Sequence, residues 1–203
     1  MKWTSSHTSG PVWLATTRRR LREKKMDMPE LETSRLRLRM FTADDLEELA
    51  RITGDPEVMK YLGTSGARTK EKTKNTIDAI LRHWERHGFG IWAIEHKADN
   101  KLIGWCGLQR LDKTPEVEVA YLLAKAYWKQ GLATEAASAA IEYGFSGLKL
   151  KRIVAIARPE NVGSYRVMEK VGMKYEKEAH FYNVDVVYYA IERATPAGQR
   201  NGS

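Results

Sequence analysis

The ten residues Tyr127-Trp128-Lys129-Gln130-Gly131-Leu132-Ala133-Thr134-Glu135-Ala136 join a strand-like run to an alanine-rich helical one. Upstream, Val117-Glu118-Val119-Ala120-Tyr121-Leu122-Leu123 is β-branched, aromatic and aliphatic, as a strand favours. Downstream, Thr134 to Phe145 carries apolar residues at helical spacing among good helix formers. Gly131 therefore marks a strand-to-helix corner. The first N–H groups of a helix have no intrahelical partner and the helix dipole is positive there, so an anion is favoured. A glycine at that place lets a pyrophosphate approach the backbone closely. An ordinary loop before a helix also produces a Gly-x-Ala step, so the specificity has to come from the flanks.

The chain has 203 residues, 42% of them apolar and 30% charged, which predicts one globular domain with a sizeable core. No run approaches the roughly 18 to 20 apolar residues needed to cross a bilayer, and no secretory signal opens the chain, so a cytoplasmic protein without a membrane partner is expected. The single cysteine, Cys106, lies in the apolar run Leu102 to Leu108 and reads as a buried thiol rather than a nucleophile. The net charge of +8 invites a nucleic-acid reading. Its distribution argues against one: the basic excess sits mostly before residue 29, where Lys2, Arg18, Arg19, Arg20, Arg22, Lys24 and Lys25 face only Glu23 and Asp27. No basic-aromatic stripe follows in the remainder. The expectation is a disordered basic extension over 1–28, with Met26 or Met28 as the true start, a folded domain over 29–193, and a disordered tail over 194–203.

Within the domain, Leu36, Leu38 and Met40 alternate with Arg35, Arg37 and Arg39, the period of a half-buried strand whose arginines face solvent. Thr42 reads as the N-cap of a short helix through Leu46, Leu49 and Ile52 that stops at Gly54. Asp55-Pro56 starts another short segment, and a long helix from about Thr69 to His87 ends at Gly88. Its Trp84, His83 and His87 read as core and solvated groups, since no metal-ligand set lies nearby. Two strands, Gly90 to Glu95 and Lys101 to Leu111, are joined by the turn Ala98-Asp99-Asn100. After the alanine-rich helix, which Gly144 and Gly147 mark as ending, come a buried strand from Arg152 to Ala157, a short helix from Ser164 to Val171, and two strands around Asn183.

Four pieces now stand in order: Glu118-Val119-Ala120-Tyr121, the corner itself, Asn161-Val162-Gly163-Ser164, and Val171-Gly172-Met173. Together with the entry segment Leu31-Glu32-Thr33-Ser34-Arg35-Leu36-Arg37-Leu38-Arg39, they resemble the GNAT acetyltransferases, specifically the branch that acetylates ribosomal-protein N-termini (RimJ/RimL-like). The resemblance spans residues 31 to 192. It implies the α/β (α+β) GNAT acyl-CoA N-acyltransferase fold, a mixed central sheet flanked by helices and splayed between its fourth and fifth strands, with the segment after Asp55 bordering the substrate cleft. It implies acetyl-CoA as acetyl donor, no metal, an amine acceptor, and a monomer or homodimer.

By resemblance, the N–H groups of Lys129, Gln130, Gly131, Leu132, Ala133 and Thr134 cradle the pyrophosphate, and the backbone of Tyr121, Leu122 and Leu123 pairs with the pantetheine amides. Pantetheine then adds to a sheet edge as a peptide does. Two residues depart from the family: Trp128 stands where Gln or Arg is frequent, and Lys129 where the tryptophan variant has glycine. Asn161 matches the asparagine that contacts the cofactor arm, and its Asn-x-x-Ser spacing equally fits a plain helix N-cap. An amine nucleophile must lose a proton, and Glu118, pointing opposite to Val117 and Val119, is the candidate base ahead of Glu116; a surface glutamate is the alternative. The tyrosine acid of many relatives is replaced here by Met168. In the N-terminal acetyltransferase branch a serine takes that role, and Ser164 matches it. The expected acceptor is a protein or peptide N-terminus. The alternatives are a small amine (polyamine, amino acid or antibiotic) and a non-catalytic acyl-CoA-binding module.

Overall fold

In the computed structural model, which describes residues 28–62 and 66–194, the chain forms one eight-stranded mixed sheet flanked by helices. The basic arm and the tail lie outside the described residues, except for Met28, which packs against the core, and Ala194. The entry segment is two strands rather than one, β1 (Leu31–Glu32) and β2 (Leu36–Arg39), because Thr33-Ser34 turns between them. Helices α1 (Asp45–Thr53), α2 (Pro56–Met59) and α3 (Lys70–His87) follow. Strands β3 (Ile91–His96), β4 (Lys101–Arg110) and β5 (Val117–Leu123) then form a meander. A single 3₁₀ turn (Lys125–Tyr127) leads into α4 (Leu132–Ser146), β6 (Arg152–Ala157), α5 (Val162–Lys170) and the hairpin of β7 (Lys174–Phe181) and β8 (Val184–Glu192).

The sheet order is β1-β2-β3-β4-β5-β6-β8-β7, and β5 with β6 is its one parallel pair. A parallel neighbour needs a crossover, which α4 supplies by lying against β4 and β5. Small side chains let it lie close: Ala136, Ala137 and Ala140 are fully buried. Gly144, expected to end this helix, is inside it instead. A Cβ there would stand 2.6 Å from Ile153 Cδ1, so this glycine is a packing residue, and the helix stops at Gly147. The main core joins these alanines to Trp84, Trp92, Leu108 and Ile153, with Cys106 buried among them as expected. The other face of the sheet carries two smaller clusters, one of Leu122 with Ile52, Val58 and Met59, the other of Leu111, Val154, Tyr188 and Ala190.

Three local expectations are revised. Asp45, not Thr42, organises the start of α1: its carboxylate accepts from Thr42 N at 2.6 Å and takes a two-pronged contact from Arg39 at 2.8 and 2.9 Å. Arg39 also donates to Glu95 at 2.9 Å, so it is an ion-paired interior residue rather than a solvated one. Arg35 is likewise engaged, with the corner before α4. By contrast α3 follows its sequence: Thr69 accepts from Lys72 N, and Gly88 closes the helix at φ 74°.

Gly104 on β4 has φ 154°, and a Cβ there would lie 2.0 Å from Leu122 O on β5. Only glycine lets the two backbones meet so closely at the end of their pairing. Gly104→Ala is expected to cost about 1 to 3 kcal/mol of stability, measured as a lowered urea midpoint with unchanged slope.

Candidate active site

The corner before α4 is built by two left-handed residues. Lys129 has φ 61° and Gly131 has φ 78°, and left-handed residues in a turn are what a concavity of successive N–H groups is built from. Gly131 is the N-cap of α4 and offers no side chain to it. The N–H groups of Leu132, Ala133 and Thr134 therefore open a 15-residue helix with no capping side chain, a donor set suited to an anion. Lys129 and Gln130 are exposed beside them. Lys129 holds a conformation that costs a side-chain-bearing residue about 1 to 2 kcal/mol relative to glycine.

The corner is held from outside by the β1–β2 turn. Arg35 donates to Gln130 O at 2.9 Å and to Glu135 Oε2 through Nε at 2.7 Å. The other oxygen of Glu135 accepts from the Thr33 and Ser34 hydroxyls and from Arg35 N, at 2.6, 3.0 and 2.9 Å. Burial alone would raise the Glu135 carboxyl, but these donors outweigh it and hold the group down at about 2. Sequence reading missed this clamp because alternation places Arg35 on a face without saying what covers that face.

At the other end of the site β5 and β6 part. Their register contains one pair, Glu118 with Val154, and beyond it the β6-facing edge of Ala120 to Leu123 has no ladder partner. The other edge of β5 is fully paired, from Arg110 with Val117 to Gly104 with Leu123. The expected opening between the fourth and fifth strands thus falls between β5 and β6, the numbering shifted by the split of the first strand. Leu123 O accepts the Trp128 indole N–H at 2.8 Å, so the corner and the end of β5 are tied together.

Helix α5 faces this opening. Asn161 caps it, its side-chain oxygen accepting from Ser164 N at 3.2 Å, which leaves the NH₂ of the same amide as a donor. The Tyr121 hydroxyl, 2.8 Å from Ser164 O and 3.1 Å from Ser164 Oγ, ties β5 to the first turn of α5. Burial raises this phenol far above its usual range, so it stays protonated. Met168 is buried.

Glu118 sits where the strands part. It is 3% exposed, not the surface glutamate of the alternative reading, and points away from the main core that holds Val117 and Val119. Gln109 Nε2 donates to its Oε1 at 2.6 Å, and the Tyr182 hydroxyl lies 3.3 Å from the same oxygen. Desolvation pushes this carboxyl up to about 7 against the two donors. Glu116, the second candidate, sits instead 3.7 Å from Arg152 Nε, in a surface ion network with Glu176 and Glu192. Among the described residues no group of His, Cys, Asp and Glu could hold a metal ion, and no helix is long and apolar enough to cross a membrane.

Residues 35–174 match the family model described as "Acetyltransferase (GNAT) domain". The chain belongs to the GNAT acetyltransferase family. The Uncharacterized N-acetyltransferase YoaA of Bacillus subtilis (strain 168) is 32% identical over 73% of this chain and 84% of its own. A GNAT-family acetyltransferase from Bacillus anthracis of known structure superposes with a TM-score of 0.70 at 32% identity, covering 81% of this chain and 98% of that one. The Ribosomal-protein-S5-alanine Acetyltransferase from Vibrio fischeri shares the fold, with a TM-score of 0.67 at 19% identity over 81% of this chain and 96% of its own. GNAT enzymes take the acetyl group from acetyl-CoA, and the two features of this chain that fit it are the uncapped start of α4 and the unpaired edge of β5.

The clamp yields a prediction. Arg35→Ala is expected to weaken acetyl-CoA binding about three- to tenfold, read by titration calorimetry, the range of a partly exposed charged hydrogen bond. The Glu135 carboxylate lies below its unfolded value of about 4.3, so its contribution to stability is present above that pH and lost as pH falls from there toward 2. Acid unfolding followed by far-UV circular dichroism should accordingly become less steep between about pH 4.3 and 2 in Glu135→Gln.

Proposed function

We propose that this GNAT enzyme acetylates the α-amine of a protein or peptide N-terminus, with Glu118 as base and Ser164 as the acid for the departing thiol. Bound acetyl-CoA supplies the activated acyl group as a thioester. The N–H groups from Lys129 to Thr134 hold its pyrophosphate, with the Lys129 ammonium free to add charge. The backbone of Tyr121, Leu122 and Leu123 lines its pantetheine arm; Leu123 does so with its carbonyl already engaged by Trp128. The amide NH₂ of Asn161 faces the same arm from α5.

The observation that carries the reading is the buried Glu118 carboxyl at the point where the strands part, raised by desolvation to about 7. A base must be ionised and yet basic enough to take a proton from an ammonium. An α-ammonium, with a reference value of about 8, is within about one unit of such a base, whereas a lysine-like or polyamine ammonium near 10.4 is more than three units away. The match favours an α-amine over the polyamine alternative. The Vibrio fischeri enzyme named above, a ribosomal-protein-S5-alanine acetyltransferase, shares the fold and is consistent with that choice.

The proton for the departing thiol is assigned to Ser164. Its hydroxyl lies 3.1 Å from the Tyr121 phenol, which holds it at the first turn of α5 beside the open strand edge. Met168 has no proton to give. Glu118 takes the proton that the bound ammonium must lose, and the free amine attacks the thioester carbon; the C–S bond breaks, the Ser164 hydroxyl protonates the sulfur and is restored through water by the second proton leaving the nitrogen, and Glu118 returns its proton to solvent.

Acetyl transfer to peptides with a free N-terminus, to the same peptides blocked at the N-terminus but carrying lysine, and to spermidine tests the acceptor class. The free N-terminal peptide should have the highest kcat/KM, and a preference for spermidine or lysine would overturn the reading. The rate should fall as pH drops below about 7, because protonated Glu118 cannot accept a proton. Glu118→Gln should lower kcat about 10²-fold or more and leave only the acid limb set by the acceptor's own ammonium at about 8. Ser164→Ala should lower kcat more than it changes the acetyl-CoA dissociation constant; unchanged turnover would remove Ser164 from the mechanism.

A further inference from the structure

The turn end of the β7–β8 hairpin, beyond the pairing of β8 with β6, departs from the plane of the sheet. Its two turn residues, Tyr182 and Asn183, have φ 52° and 60°, the conformation of a tight two-residue turn that follows the strand twist. Its pairing shifts register between Tyr175 and Lys177, and an irregularity of that kind bends a strand. The bend is visible in the side chains. Phe181 stacks on Tyr188 at 6.1 Å, although the residue opposite Tyr188 in the ladder is Lys177, four positions earlier. The end of the hairpin therefore folds back over the sheet, and Phe181 packs on the cluster of Leu111, Val154, Tyr188 and Ala190.

This return carries the Tyr182 hydroxyl to the start of the β4–β5 loop. The phenol oxygen accepts from Asp112 N at 2.8 Å. With that lone pair occupied, the O–H is aimed at Glu118 Oε1, 3.3 Å away. Gln109 reaches the same oxygen from β4 at 2.6 Å. Yet Tyr182 is 47% exposed, an unusual state for a large aromatic whose polar tip is so engaged.

We propose that Tyr182, at the turn of the β7–β8 hairpin, is a positioning residue for Glu118, aiming and holding its carboxylate at the point where β5 and β6 part. The proposal rests on the reading of Glu118 as base and adds the hairpin as the element that makes the base competent. The groups facing Glu118 are Gln109 on β4, Val154 on β6, Tyr182 on the hairpin, and Asp112 on the β4–β5 loop, whose negative charge opposes ionisation. Tyr182 and Gln109 are the donors that favour the ionised form, and Tyr182 is the one delivered by a distant part of the chain.

Tyr182→Phe keeps the ring and removes the donor. The Glu118 titration can be followed directly in full-length protein carrying ¹³C-carboxyl glutamate, its signal assigned by its loss in Glu118→Gln. In Tyr182→Phe the midpoint should rise by about half a unit to one unit, a three- to tenfold change in the ionisation constant. With a free-N-terminus serine tetrapeptide as acceptor, the acid limb of the rate profile should move up by the same amount while acetyl-CoA affinity is unchanged. A midpoint that does not move would overturn the proposal. A moved midpoint in Tyr182→Phe alongside full activity of Glu118→Gln would keep the Tyr182–Glu118 coupling and remove Glu118 as the base.

Discussion

The parting of β5 from β6 is the constraint on which the site depends. A continuous parallel pair would satisfy every backbone group along both strands and leave no edge for a ligand. Here pairing stops after Glu118 with Val154, and what lies on either side follows from that. Beyond the pair, β5 exposes an edge beside α5 and ends at the corner that opens α4. At the pair itself, the strands are still close enough to bury Glu118. One irregularity thereby creates an unpaired strand edge and a desolvated carboxyl next to it.

Two carboxylates, each largely withdrawn from water, show how surroundings set protonation. Glu135 receives donors on both oxygens, from Thr33, Ser34 and both the backbone and guanidinium of Arg35, and its carboxyl is held at about 2. Glu118 receives two donors on one oxygen and no guanidinium, and desolvation takes it to about 7. The first is a permanent anion that anchors the corner. The second can change its proton state near neutral pH, as an acid–base group requires. Separate parts of the chain supply these settings: the β1–β2 turn for Glu135, and β4 with the β7–β8 turn for Glu118.

Much of the architecture was legible along the chain because local chemistry determined it. Thr69 and Gly88 bracket α3, the alternation of Leu36 and Leu38 places β2, and Gly131 between a strand-like and a helical run marks the start of α4. Where local reading failed, a distant partner had intervened. Arg35 and Arg39 look like solvent-facing strand residues until Glu135, Asp45 and Glu95 are brought to them. Gly144 looks like a helix stop until Ile153 is seen pressed against it.

The sequence by itself determined the family, most of the order of elements, the strand-to-helix corner at Gly131, and the residue types available to the chemistry. Those depend on propensities, capping and spacing, which act over a few residues. Only the tertiary structure decided what Glu118 is. Its burial comes from the sheet around it, its donors from β4 and from a hairpin more than sixty residues away, and its raised carboxyl from their sum. A proton affinity depends on everything within a few ångströms, and for Glu118 those neighbours are set by how the hairpin folds back, which no short stretch of sequence encodes.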